Sequence, residues 1–177
     1  MSETSKLHKK SSPDSATVYI ITCSTSKFKQ LRAKQEPSDE SGDTIEHLAT
    51  NAGHRISGRK LISDSKPMIR KTVREAFSNR DVDAVIITGG TGLSSTDVTF
   101  EAISPMLDRE IPGFGEIFRR ISFDEIGSAA MMSRAFAGTI KDRAVFCLPG
   151  SPNAVKTAME KLILPELGHL VGLARVP

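Results

Sequence analysis

Tryptophan is absent from the 177 residues and tyrosine occurs once, so aromatic residues make up 5% of the chain. A surface that stacks bases needs more rings than that. A dominant charge is lacking too, because 24 basic residues stand against 21 acidic ones and the net charge is +3. The Lys and Arg residues are scattered among acids and form no basic stripe, so no nucleic-acid partner is expected. Cysteine occurs twice, as Cys23 and Cys147, each inside an apolar, strand-like run. Two distant thiols build neither a disulfide framework nor a zinc site, and they are expected to be buried and free in a reducing cytosol. The histidines, His8, His47, His54 and His169, show no metal-ligand spacing and no nearby Ser-Asp pair, which removes zinc and Ser-His-Asp chemistry. No run approaches the roughly eighteen apolar residues of a membrane span. The opening MSETSKLHKKSSPDSA has no apolar signal core. A cytoplasmic protein with no membrane partner is expected, with residues 1–16 as a flexible polar tail and 17–177 as a single domain.

One more absence falls in the most suggestive stretch, VIITGGTGLSSTDVTFEA, residues 85–102. A Walker loop would end in Gly-Lys-Ser/Thr, yet no lysine lies between Gly89 and Glu101. A dinucleotide fingerprint would place its third glycine at position 95, where Ser95 stands. The Walker loop is therefore excluded, and the dinucleotide reading is weak.

What is present alternates between the two secondary-structure periods. TVYIITC (17–23) is a continuous β-rich run of the kind buried in a parallel sheet. The polar segment 24–43 that follows, with its Pro and turn formers, reads as a long connection. A helix capped by Asp43 or Thr44 is expected over TIEHLATNAGH, then a half-exposed strand over HRISGRKLIS. Lys66–Ser78 reads as a second amphipathic helix, DVDAVIIT as the third strand, and a short helix opens at Asp97 or Thr99. Gly and Pro punctuation predicts broken helices between Arg109 and Ala135. FAGTI and RAVFCL, flanking Lys141-Asp142, read as a hairpin, and a closing helix follows LPGSP. This order predicts an α/β three-layer sandwich, with a mostly parallel sheet, an antiparallel hairpin edge and helices on both faces.

In such sheets ligands bind beyond the carboxyl ends of the strands. Four candidate loops lie there: Cys23-Ser24, Ser63-Asp64, Thr88–Gly92 and Leu148–Pro152. Gly89, Gly90 and Gly92 allow backbone N–H groups to approach an anion, and Thr88 and Thr91 add hydroxyl donors. Pro149, Gly150, Ser151 and Pro152 form a second rigid turn, with Ser151 at a helix start. A lone Asp after a strand is usually a helix cap. Asp64 and Asp97 at one edge, beside two glycine turns, instead suit Mg2+, which prefers one or two carboxylates plus phosphate oxygens.

The motifs TGGTGLSSTDVTFEA, DREIPGFGEIFR, SRAFAGT and LPGSPNAV, in this succession and with DESGD and a Gly-His pair upstream, resemble the MoaB/MogA molybdenum-cofactor biosynthesis family, also seen in the G domain of gephyrin. The resemblance covers residues 17–170. It implies a trimer or hexamer that adenylylates molybdopterin with ATP and Mg2+, releases pyrophosphate, and hands its product to the metal-insertion enzyme of the pathway. It also implies catalytic roles for Asp64 and Asp97, with Asp97 on the metal. Gly89, Gly90, Thr91 and Gly92 match the anion-binding loop, Ser41 and Gly42 the Asp-x-Ser-Gly element, and Pro149 to Pro152 the second binding turn. The alternative is a molybdopterin-binding or scaffold protein of the same fold without catalysis. Two departures stand out: Phe100 replaces the Pro that many relatives have after DVT, and Thr25-Ser26 replaces a common Asp-Ser or Asp-Arg pair.

Overall fold

The computed structural model describes residues 13–176, and a six-stranded sheet runs through them. Its strands are β1 (Thr17–Cys23), β2 (Arg55–Ile62), β3 (Ala84–Thr88), β4 (Arg109–Glu110), β5 (Phe136–Ile140) and β6 (Arg143–Leu148), in the spatial order β2-β1-β3-β6-β5-β4. The first four in that order are mutually parallel, and β5 and β4 add antiparallel pairs at one edge. The expected α/β sandwich with its hairpin edge is therefore the observed architecture.

Both faces of β1 are apolar, which is why it lies inside the sheet. Val18 and Ile20 pack with Ile86 and Phe146 under Ile45, Phe114, Phe118 and Met159 on one side. Ile21 and Cys23 pack with Val85, Ile87 and Cys147 under Ile69, Val73 and Ile103 on the other. Burying an Ile side chain stabilises the fold by roughly 1.5–3 kcal/mol. Yet apolar residues on both faces cannot fix the register of β1 on their own. A polar pin does so at its start, where the Thr17 N–H donates to buried Asp83 Oδ2 at 2.7 Å and Arg175 pairs with the other oxygen of that carboxylate.

Four expectations are corrected. The supposed long connection after β1 contains a helix, α1 (Thr25–Arg32), capped by Ser24. It buries no residue, so it lacks the apolar stripe that would have revealed it. The next helix, α2 (Glu40–Asn51), starts a turn earlier than Asp43 because Asp39 is its cap, accepting from the Gly42 N–H at 3.3 Å. After α3 (Lys66–Ser78) and the short α4 (Thr99–Ile103), the expected broken helices are one fifteen-residue helix, α5 (Pro112–Ile126), followed by a 3-10 segment over Gly127–Met132. Its early glycines do not interrupt it, and β4 just before it extends the hairpin edge. The closing helix runs as α6 (Pro152–Ala158), a π turn (Met159–Ile163) and α7 (Leu164–Ala174).

Of the segment expected as a tail, residues 1–12 lie outside the described residues. Residues 13–16 are held against the domain: Ala16 is fully buried and its N–H donates to His54 Nδ1 at 3.1 Å. That bond needs a neutral imidazole, and burial lowers the pKa of His54 from its ordinary 6.5. Unfolding therefore takes up a proton below pH 6.5, so stability is complete above that value and falls as pH drops from it toward the depressed folded value. Urea unfolding at pH 8 and pH 5 should show a loss of stability at the lower pH. That loss should shrink in His54→Gln, which keeps an acceptor but does not titrate. Equal pH slopes in the two proteins would contradict this assignment.

Among the described residues no helix is long and apolar enough to cross a membrane.

Candidate active site

The parallel register sets Cys23 beside Ile62, Thr22 beside Thr88 and Thr88 beside Leu148. All four candidate loops consequently leave the sheet at one level, and they open onto a single cleft of about 730 Å3. Its floor and one wall are Thr22 to Lys27, Asp64, Thr88 to Gly92, Thr96 and Asp97, with Pro149 to Ser151 beside them. Phe118, Ser122, Ile126 and Ala130, from α5 and the 3-10 segment, also line it.

The Gly89-Gly90 turn is laid between two strand ends. Gly89 has φ +97° and its N–H donates to the Leu148 carbonyl at 3.0 Å, while a Cβ there would sit 2.2 Å from the Cys23 carbonyl oxygen. Gly90 has φ +66°, and a Cβ would come within 3.0 Å of Asp64 Oδ1. Only glycine permits both the left-handed conformation and this approach. Thr99 closes the loop, its hydroxyl donating to the Gly89 carbonyl at 2.8 Å and its N–H to the Gly90 carbonyl at 2.9 Å. Neither Asp97 nor Thr99 caps α4 through its side chain.

The second turn is held by hydroxyls from two directions. Thr88 donates to the Pro149 carbonyl at 2.8 Å, and Ser41 donates to the Gly150 carbonyl at 2.7 Å. Ser41 and Gly42 are thus placed behind the cleft and do not line it; Gly42 packs on the side chains of Asp39 and Arg59. Pro152 also lies outside the lining, as the first residue of α6, which Ser151 caps by accepting from the Ala154 N–H at 3.3 Å. Thr88, Thr91, Gly92, Pro149, Gly150 and Ser151 line the cleft with Gly89 and Gly90.

Asp64 and Asp97 both line it, and each has one carboxylate oxygen tied down. Asp64 Oδ2 accepts from the Thr25 N–H at 2.7 Å and the Thr25 hydroxyl at 2.8 Å. Asp97 Oδ2 accepts from the Ser94 N–H at 3.0 Å. The Thr25 hydroxyl therefore orients a carboxylate. Burial pushes the Cys23 thiol, also in the lining, up to about 12, with Asp64 adding to the rise and a Thr99 hydrogen bond opposing it. At neutral pH it is no thiolate, so it is a poor nucleophile.

Three residues that the sequence reading did not assign shape this site. Arg134 clamps the loop bearing Asp97: its Nε donates to the Gly92 carbonyl at 2.9 Å and its Nη2 to the Asp97 carbonyl at 3.0 Å. Its guanidinium also pairs with Glu101, holding that carboxyl below the usual range, and lies 5.4 Å from the Phe100 ring centroid. Asp39 gathers the Thr22 hydroxyl and the Arg59 guanidinium, each at 2.7 Å, and so ties α2 to the sheet. Lys27 brings a cation to the rim. Arg134 and Asp39 lie inside motifs quoted above, SRAFAGT and DESGD, but nothing in their spacing shows a role. Lys27 carries no signal at all.

No three His, Cys, Asp or Glu residues among those described form a metal-holding group. The donor set suits instead a hard cation that completes its shell with ligand phosphates and water, since Asp64 and Asp97 supply carboxylate oxygen and hydroxyl and carbonyl oxygens of the lining lie beside them. Mg2+ therefore fits these residues.

Residues 19–169 match the family described as "Probable molybdopterin binding domain". The molybdenum cofactor biosynthesis protein B of Bacillus cereus is 45% identical over 164 residues, spanning 92% of this chain and 93% of that protein. A crystal structure of a molybdenum cofactor biosynthesis protein B superposes with a TM-score of 0.84 at 44% identity, covering 92% of this chain and 97% of the other. The tungsten cofactor synthesizing protein MoaB from Pyrococcus furiosus gives a TM-score of 0.82 at 37% identity, covering 93% and 99%.

Proposed function

Since the chain belongs to the MoaB/MogA family of molybdenum-cofactor biosynthesis and carries its molybdopterin-binding domain, we propose that it adenylylates molybdopterin with ATP. An oxygen of the terminal phosphate of molybdopterin attacks the α-phosphorus of ATP. The bond from that phosphorus to the oxygen bridging to the β-phosphate breaks, and pyrophosphate leaves with its electron pair. What carries the reading is one arrangement: two glycine turns and two carboxylates, far apart in sequence, converge on one cleft at the carboxyl edge of a parallel sheet.

Transfer of this kind asks a protein for positioning and charge neutralisation more than for a covalent nucleophile. Gly90 to Gly92 and Gly150-Ser151 offer backbone at the cleft surface for phosphate oxygens, and the apolar side chains Phe118, Ile126 and Ala130 in the lining suit a flat ring. Asp64 and Asp97 would hold Mg2+ through the oxygens not engaged by Thr25 and Ser94. When bound, that ion neutralises phosphate charge and orients the triphosphate. Asp97 is the principal metal residue in this reading, with Arg134 keeping its loop in place.

The active form is a homotrimer or hexamer, and its product passes to the metal-insertion enzyme of the pathway. Self-association is supported by Ile117, Phe123, Ile126, Met131 and Met132, apolar side chains at least half exposed along α5 and the turn after it. Incubation with molybdopterin, Mg2+ and ATP should release pyrophosphate only when all three are present. Tight molybdopterin binding with no release would assign the chain to binding without catalysis.

A further inference from the structure

The glycine loop has no lysine, yet the cleft it borders has one. Lys27 reaches the rim from the first turn of α1, more than sixty residues upstream of Thr91. Among the described residues of the lining it is the one cationic side chain, set against the two carboxylates Asp64 and Asp97. Two negative charges alone would repel a polyphosphate, and one divalent cation brings their sum only to zero. A further positive charge would favour the ligand.

The ammonium of Lys27 has no competing close partner in the structure. Its nearest carboxylate oxygen is Asp39 Oδ1, 4.0 Å away, at the outer limit of an ion pair, and its side chain is 34% exposed. That carboxylate is already held by Arg59 and by the Thr22 hydroxyl, both at 2.7 Å. A lysine is a compact point charge on a four-carbon stem with free rotation, so it can swing from the rim onto a phosphate as the ligand enters.

We propose that Lys27 is the phosphate-binding cation of this cleft, supplying from α1 the charge that a Walker loop would carry within itself. The inference rests on the reading of the cleft as a polyphosphate site. Lys27 would act on the affinity for the triphosphate and for the departing pyrophosphate, with no part in bond making.

Inorganic pyrophosphate with Mg2+ is the probe, measured by titration calorimetry on the full chain, on Lys27→Met and on Lys27→Arg. The native protein should bind it, Lys27→Met roughly tenfold more weakly and with a shallower salt dependence, and Lys27→Arg close to native. Thermal midpoints of all three should agree, because an exposed ion pair at its distance limit adds little stability. Equal affinity in Lys27→Met would overturn the assignment while leaving adenylylation standing if the native protein releases pyrophosphate from ATP and molybdopterin. Equal losses in Lys27→Met and Lys27→Arg would also overturn it, since packing and not charge would then be at work. A native protein that neither binds nor releases pyrophosphate would remove both readings.

Discussion

Asp97→Asn should keep its fold and lose its turnover. The loop around Asp97 is shaped mainly through backbone atoms: its N–H donates to the Ser94 carbonyl at 2.9 Å, and its own carbonyl accepts from Arg134. An amide oxygen at the same place can still accept from the Ser94 N–H, so the local geometry survives the substitution. What disappears is a negative charge at the rim of the cleft, and with it a ligand for a hard cation. Loss of one preorganised electrostatic contact typically costs about 100- to 1000-fold in turnover. Circular dichroism and the thermal midpoint should stay near native, while pyrophosphate release falls by at least that factor. Native-like turnover in the variant would remove Asp97 from the reaction.

The second large effect is on stability. Gly89→Ala would place a methyl group 2.2 Å from the Cys23 carbonyl oxygen at a φ of +97°. The obstacle is backbone at the end of β1, locked into the sheet on both sides by β2 and β3, so it cannot yield cheaply. Strain and overlap together should cost about 3–5 kcal/mol, seen as a large fall in the urea midpoint. Gly113→Ala is the matched control. A Cβ there meets nothing within 4 Å and the residue sits in the first turn of α5, so the change should be neutral or stabilise by up to about 1 kcal/mol. Similar midpoints for the two variants would contradict the close approach at Gly89.

Both effects originate in a region that periodicity marks well. A continuous β-rich run is a strong local signal, and β1, β3, β6 and the hairpin all follow from such runs. So does the convergence of Asp64 and Asp97, because a parallel sheet puts successive strand ends at one edge. The misses share a different cause. Helix α1 buries nothing and is specified by its Ser24 cap, so hydrophobic spacing does not register it. The expected donor Thr88 and the motif residue Ser41 have their hydroxyls committed to the carbonyls of Pro149 and Gly150, which are long-range partners that no local pattern reveals. Arg134 escapes for the same reason, since its contacts with Gly92 and Asp97 cross about forty residues of chain. Residue types and strand ends are local properties. Which hydroxyl is a strut and which faces a ligand is settled only by tertiary contacts.

These struts have a bearing on function. The two turns are braced against each other through Thr88, and against α2 through Ser41, so the backbone that borders the cleft is fixed before any ligand arrives. Thr25 performs a comparable task for Asp64, gripping it with both N–H and hydroxyl.

The adenylylation account stands or falls on where the α-phosphate of ATP ends up. With ATP labelled at that phosphorus, molybdopterin and Mg2+, the account predicts label in a product whose mass equals molybdopterin plus an adenylyl group, with unlabelled pyrophosphate released in equal amount. Label remaining in ATP, or appearing in free AMP with molybdopterin unchanged, would contradict it.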